Sequence, residues 1–542
     1  MTNQIVTVIA GIVVAPTPSA LQKSGAFISQ GATNTSPGTY TLLTAPSSLT
    51  TYLAGSLALT SITWIANVAS ATTAAPHNLE VGDTLLLTIS GASPSGYNGT
   101  FLCTVTGTST FTYPLATNPG GPSSSGVYTP EDVAELVEQN TTFFAQGSQQ
   151  AVWVLELGPG NASDGVAYLT NWIAANPGVF YAYLVPRTWA YSSAFLTMMA
   201  GFEALTAKTY FFTTMALNNY SSFTTLMKCV VGMIEAPATG AWSANVLTAA
   251  SWSNNVVTFT TTTNHGVSVG QWFQIIGMTP AGYNGWFQAA SGTTGSTLVA
   301  PLANSPGSES VLGTLVASTY ASAGIPSTEF SLAAAFHVML NYAPSSTNQV
   351  PPYAFSYLFG VTPFPTQGNS SLLAILKASF VNVVATGAEG GISNAILKWG
   401  TTMDGNSLNF WYGFDWAQIN GDEAVANAVI NGSNSQPPLY YNQFGINTLQ
   451  AVLASTMADG VSYGLILGQV VQTELDPNTF STNVANGVYA GLTVVNAVPF
   501  AIYIEQNPNA YEEQTYGGLA VAMTPQLGFT QIIFNLTAVE FA

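Results

Sequence analysis

The sequence predicts a multidomain protein of mixed α+β and α/β class: a mixed sheet core with flanking helices, two small inserted β-domains, and extended N- and C-terminal strand arms. Three observations carry that prediction. One set of motifs occurs twice, strand and helix patterns alternate outside the two copies, and both chain ends are rich in strand formers.

The first copy holds Ala75-Pro76-His77, Val81-Gly82-Asp83, Gly96-Tyr97-Asn98-Gly99-Thr100-Phe101 and Pro114-Leu115. The second holds Thr263-Asn264-His265, Val269-Gly270-Gln271, Gly282-Tyr283-Asn284-Gly285-Trp286-Phe287 and Pro301-Leu302. Short alternating runs such as Val256-Val257-Thr258-Phe259-Thr260 surround them, and Asn-Gly marks a hairpin tip in each, so each copy reads as a small β-domain. Neither contains the helical patterns found elsewhere, which makes them insertions at residues 60–128 and 242–316.

The remaining chain is parsed in order. Residues 1–20 form an N-terminal arm, with Ile5-Val6-Thr7-Val8-Ile9 as its strand, bounded by Gly11 and Pro16. Residues 21–59 and 129–241 form an α/β core. Thr129 is the expected N-cap and Pro130 the first residue of a helix over 130–146, with Glu131 and Asp132 in its first turn. Strands at 151–157, 179–185 and 210–214 alternate with helices at 166–176 and 193–205, a βαβαβ run. Residues 317–528 form a C-terminal α+β body with helices expected near 327–342, 370–385, 421–431 and 446–459, then strand and loop. Residues 529–542 are a second arm, whose Ile532 to Val539 segment is strand-like. Strand formers at a terminus need a partner. That partner is either a neighbouring subunit's sheet or the chain's own.

With 542 residues, 47% hydrophobic and 12% aromatic, the chain is long and apolar enough to fold into several cores. Only 6% of residues are charged, against roughly 25% in ordinary soluble domains. A surface of Thr, Ser, Asn, Gln and small apolar residues suits burial against other subunits. The alternative is an acid-tolerant or secreted monomer. The six basic residues, Lys23, Arg187, Lys208, Lys228, Lys377 and Lys398, are scattered within a net charge of −18, which argues against direct nucleic-acid binding. The apolar run from Ile5 to Val14 lacks a basic flank and is too short to span a bilayer, so neither signal peptide nor membrane insertion is expected. Cys103 and Cys229 read as buried free thiols of a reducing cytoplasm.

Chemistry has few footholds. His77 and His265 occupy equivalent repeat positions and read as turn residues ahead of Val-Gly, and His337 as a packing residue. No metal-ligand spacing and no Gly-x-Ser-x-Gly elbow is present, so no metal, cofactor or catalytic residue is assigned. Leu157-Gly158-Pro159-Gly160-Asn161 reads as a plain βα turn, because Pro159 removes a donor and no Gly-Lys-Ser/Thr follows. The strongest enzymatic candidate is Asp404, Asp415, Asp422 and Glu423 beside Trp411, Tyr412 and Trp416, the paired acids and platforms of a glycoside hydrolase. Asp422-Glu423 also fits an acidic helix N-terminus. A further alternative is an adhesin binding glycans through Tyr97, Tyr283 and Trp286.

The stretch Pro437-Pro438-Leu439-Tyr440-Tyr441-Asn442-Gln443-Phe444-Gly445-Ile446-Asn447, continuing through Leu449, Val452, Leu453, Gly460-Val461 and Gly464, resembles the phage contractile-tail sheath family, where a Pro-x-x-Tyr segment meets a Gly-Ile turn. Trp411-Tyr412-Gly413-Phe414-Asp415-Trp416 and the β-rich end fit the same layout. The resemblance implies a non-enzymatic virion tail subunit, assembled in the host cytoplasm. It stacks as hexameric rings around a tail tube protein, between baseplate and tail terminator proteins, and contracts to drive the tube through the host envelope for genome ejection. Its rings would be joined by strand exchange through Ile5, Val6, Val8, Ile9, Ile532, Phe534, Leu536 and Val539, hinged at Gly11, Pro16, Pro525 and Gly528. The repeated turns at Tyr97, Asn98, Gly99, Tyr283, Asn284 and Gly285 would sit in outward-facing lobes. One departure is plain: residues 399–542 contain no Lys or Arg, where the family often has basic residues.

Overall fold

Residues 18–530 are described by the computed structural model, apart from 67, 78, 80, 83, 116, 148–150, 188, 190–191, 215–224, 235–242, 268, 270–271, 277, 303–304, 318–330, 341–343, 364–369 and 387–393. The arm strands named above, with Gly11 and Pro16, lie outside the described residues.

Along the chain, β1 (Gly25–Ser29) and β2 (Tyr40–Leu43) precede six strands: β3 (Leu57–Ile65), β4 (Val68–Thr73), β5 (Thr84–Ser90), β6 (Gly99–Gly107), β7 (Thr110–Pro114) and β8 (Val127–Pro130). Then come α1 (Glu131–Ala145), β9 (Val152–Glu156), α2 (Ala162–Ala175), β10 (Ala182–Leu184), α3 (Ser193–Ala200), β11 (Tyr210–Thr214) and β12 (Val230–Ile234). Six more strands follow: β13 (Ser243–Ser253), β14 (Val256–Thr261), β15 (Trp272–Ile276), β16 (Gly285–Gln288), β17 (Thr297–Pro301) and β18 (Thr314–Ala317). The C-terminal part holds α4 (Ser331–Met339), α5 (Ser370–Ala378), β19 (Asn382–Thr386), β20 (Ala395–Lys398), α6 (Leu408–Ser433) and α7 (Gln443–Ser462). It ends with β21 (Ile466–Leu467), β22 (Val470–Thr473), α8 (Pro477–Ala485), β23 (Thr493–Ala497), α9 (Phe500–Gln506), α10 (Pro508–Glu512), β24 (Leu519–Ala522) and β25 (Thr524–Pro525).

The core is a mixed sheet in the order β2-β9-β1-β10-β11-β12-β19-β20, parallel from β9 to β19 with an antiparallel strand at each edge. Alternate side chains feed two apolar layers. Phe27, Leu184 and Phe212 face α1, α4 and α6, while Ile28, Tyr183 and Phe211 face α2 and α3. Burial on both faces explains why these strands read as continuous apolar runs. At Gly25 a Cβ would lie 2.7 Å from both Leu340 and Phe336, so a side chain there would push α4 off the sheet.

The first inserted unit closes into a barrel in the order β3-β4-β7-β6-β5-β8. The second keeps the same cyclic order, β16-β15-β18-β13-β14-β17, but has no ladder between β16 and β17. There Ala290 N–H reaches Val299 O, and the Thr293 hydroxyl accepts from Val299 N–H in place of strand pairing.

Several expectations are corrected. Residues 382–386 are strand, not helix: Phe380 takes φ +60 after α5, and Val383 and Val384 then bury on opposite faces. The helix expected at 421–431 is the long α6, which begins at Leu408 with Ser407 as N-cap; Asp422-Glu423 therefore lies inside it. Gly413 within it is demanded by packing, since a Cβ there would sit 2.6 Å from Leu465 O. The final stretch holds three helices, α8 to α10, beside its strands. Pro130 caps α1 in place of Thr129, because both residues complete β8. The helix expected to run to 205 stops at Ala200.

Candidate functional site

Of the four candidate carboxylates, the structure places Asp415 deepest. It is fully buried on α6, facing the ends of β10 and β11. Its Oδ2 accepts from the Tyr181 and Tyr210 hydroxyls at 2.9 and 2.8 Å, and its Oδ1 meets Lys228 Nζ at 2.5 Å and Lys208 Nζ at 3.2 Å. Lys228, 1% exposed, also donates to Leu205 O and lies over the rings of Trp411 and Phe414. Burial lowers the Lys228 pKa against the opposing pull of Asp415. Burial and then the Asp415 charge push Tyr181 and Tyr210 well up, so both remain hydrogen-bond donors. All four lone-pair directions of this carboxylate are therefore committed to the protein's own groups.

The other acids do not join it. Asp404 accepts from Thr402 and Asn406 within its own turn and from the Trp411 indole on α6. Asp422 is exposed on the rim of a groove of about 480 Å³ between α6, α7 and β24. Apolar side chains including Phe414, Val425, Leu453, Met457 and Val521 line it, and Asp422 is its one carboxylate among the described residues. Paired-acid chemistry is thus not assembled there.

The Gly-rich turn after β9 already holds an anion, the side chain of Glu156. Its Oε1 accepts from Gly31 and Gly158 N–H, both at 2.7 Å. Its Oε2 accepts from the Ser29 and Thr33 hydroxyls, both at 2.6 Å, and from Thr33 N–H at 3.1 Å. Asn161, not the glycines, caps α2 by accepting from Ser163 and Asp164 N–H.

The corresponding turns of the two repeats make equivalent hydrogen bonds. Tyr97 and Tyr283 are 0% and 1% exposed, and their hydroxyls donate to Gly121 O and Gly307 O. Asn98 and Asn284 do not form tight Asn-Gly turns; each amide makes both hydrogen bonds to one backbone unit, Ala92 or Met278, closing a longer connection. Gly99 and Gly285 then open β6 and β16. His77 and His265 are buried, and each Nδ1 accepts from the N–H two residues on, at Leu79 and Val267. Trp64 and Trp252, which sequence reading passed over, donate equivalently to Leu115 O and Leu302 O; their shared place before the β3–β4 and β13–β14 turns was the available signal.

His337 packs edge-on to Phe143 at 4.9 Å, and its buried Nε2 has no hydrogen-bond partner. Burial lowers its pKa to about 4. The unfolded chain takes up this proton near 6.5 and the folded one does not, so stability holds above 6.5 and falls as pH drops toward 4. The loss is up to about 3 kcal/mol. In urea titrations at about pH 7 and about pH 4.5, His337→Phe is expected to show a shallower acid loss than the natural chain.

Of the hinge candidates, Pro525 is buried in β25 opposite Ile466, and Gly528 packs on Pro352. No group of three or more His, Cys, Asp or Glu among the described residues is placed to hold a metal ion. No described helix is long and apolar enough to cross a membrane. Both cysteines are buried and free.

No protein-family model matches the chain, and no curated protein matches it. Among solved structures, the sheath tail protein Lin1278 from Listeria innocua is similar over 83% of this chain and 90% of its own, at 7% identity and a TM-score of 0.33. So distant a likeness leaves function to be argued from the residues.

Proposed function

We propose that this chain is a structural tail sheath subunit, without enzymatic activity, that polymerises around a phage tail tube and contracts to drive it through the host envelope. The observation that carries the reading is the sheet β22-β23-β24. Among the described residues, β22 and β24 each pair on one side only, with β23. Edge strands normally carry Lys, Pro or an inward charge against unwanted pairing. Val470-Val471-Gln472-Thr473 and Leu519-Ala520-Val521-Ala522 carry none of these. Such edges suit an incoming strand, with backbone hydrogen bonds giving affinity. The strand-forming segments at residues 5–9 and 532–539 are the matching donors in the sequence.

The adhesin reading is weakened, because Tyr97 and Tyr283 are buried and their hydroxyls are used internally. In the proposed assembly the partners are further copies of the chain, the tube protein, and the baseplate and terminator at the two ends. Deleting residues 1–16 or 529–542 is expected to abolish tubes and rings seen by negative-stain electron microscopy while leaving a folded subunit. Assembly unaffected by both deletions would refute strand exchange.

A further inference from the structure

We infer that self-association of this chain is gated by ionic strength: subunits stay apart in dilute salt and assemble as salt rises. The inference rests on the proposed self-assembly and adds its regulation.

The net charge of −18 includes only six cations, and folding withdraws half of them. Lys228 and Arg187 are 1% and 8% exposed, and Lys208 is 15% exposed and bound to Asp415. Lys23, Lys377 and Lys398 are left with appreciable surface, and of these Lys377 is the one in the exposed range. The carboxylates behave oppositely. Asp415, Glu156 and Glu135 are buried, whereas Asp164, Glu309, Asp422, Asp459, Glu474, Glu505, Glu512 and Glu513 are exposed. Any two copies therefore meet as surfaces of nearly one sign.

The C-terminal part sharpens the conflict. It has no cation after Lys398, yet it exposes Ile430, Tyr440, Phe444 and Tyr511 at 62, 64, 69 and 58%. Tyr511 is followed directly by exposed Glu512 and Glu513. Tyr441 ties these elements together, stacking on Tyr511 and donating its hydroxyl to Thr515 O. Apolar attraction and like-charge repulsion thus act across the same surface. Salt shortens the Debye length from about 10 Å at 0.1 M to about 3 Å at 1 M, which removes the repulsion and leaves the attraction. Net charge far from zero keeps a protein dispersed for the same reason.

The test is light scattering of the intact chain from about 20 mM to about 1 M NaCl, with particles imaged at each end of the range. Particle mass is expected to rise with salt, and the double variant E512Q/E513Q is expected to move the onset to lower salt. D164N, which removes one charge from the other part of the chain, should shift it less. Particles equally large in dilute salt, or shrinking as salt rises, overturn the inference and leave self-assembly standing. A rise that E512Q/E513Q does not shift also overturns it, because general salting-out would then be the cause. Discrete subunits at every salt concentration overturn the self-assembly reading and this inference with it.

Discussion

Asp415→Ala is expected to destabilise the protein by about 3–5 kcal/mol, the usual consequence of removing one partner from a buried ion pair. Lys228 would lose its counter-charge in a site where it is 1% exposed, and the Tyr181 and Tyr210 hydroxyls would lose their acceptor. Against a total stability of roughly 5–15 kcal/mol, that loss should show as poor soluble yield or a much lower urea midpoint. A compensating pair distinguishes a structural hub from a catalytic acid. Adding Lys228→Met to Asp415→Leu removes the two buried charges and should recover part of the loss, since a buried pair replaced by apolar groups is often near neutral, while the Tyr181 and Tyr210 hydroxyls stay without their acceptor. A soluble, normally stable Asp415→Ala protein would contradict the account.

Glu156→Gln is the second large expected effect, at about 3 kcal/mol or more, because hydrogen bonds to a charged acceptor contribute about 1.5–3 kcal/mol each. The change adds no volume, so packing is not at issue. With its NH2 on the Oε1 side the amide faces the Gly31 and Gly158 N–H groups, which can only donate; on the Oε2 side the Ser29 and Thr33 hydroxyls can turn to accept, but Thr33 N–H is again a donor. Urea denaturation followed by tryptophan fluorescence measures the loss. A shift below about 1 kcal/mol would mean the turn relaxes around the amide.

Much of the architecture was legible because repetition and periodicity are local signals. Tyr97 and Tyr283, like His77 and His265, recur with the same neighbours, and the apolar runs at β9 and β11 are bounded by clear breaks. The misses have physical causes. Phe380 adopts φ +60 without being glycine, so nothing in the sequence separated α5 from β19. Gly413 and Gly421 lower helix propensity, yet they let Leu465 and Leu453 approach α6 closely. The start of α8 could have been read from Asp476-Pro477, an N-cap followed by Pro, where Asp476 accepts from Asn478 and Thr479 N–H. The Asp415 hub had no such signal. Its partner Lys228 is 187 residues away in sequence, and only the fold brings them together.

Negative-stain electron microscopy of the purified intact chain, in salt high enough to screen its charge, tests the central claim most directly. Hollow tubes or stacked rings are the predicted result, followed by their loss when residues 1–16 or 529–542 are removed. Discrete monomers or trimers that stay separate when tail tube protein is added would contradict it.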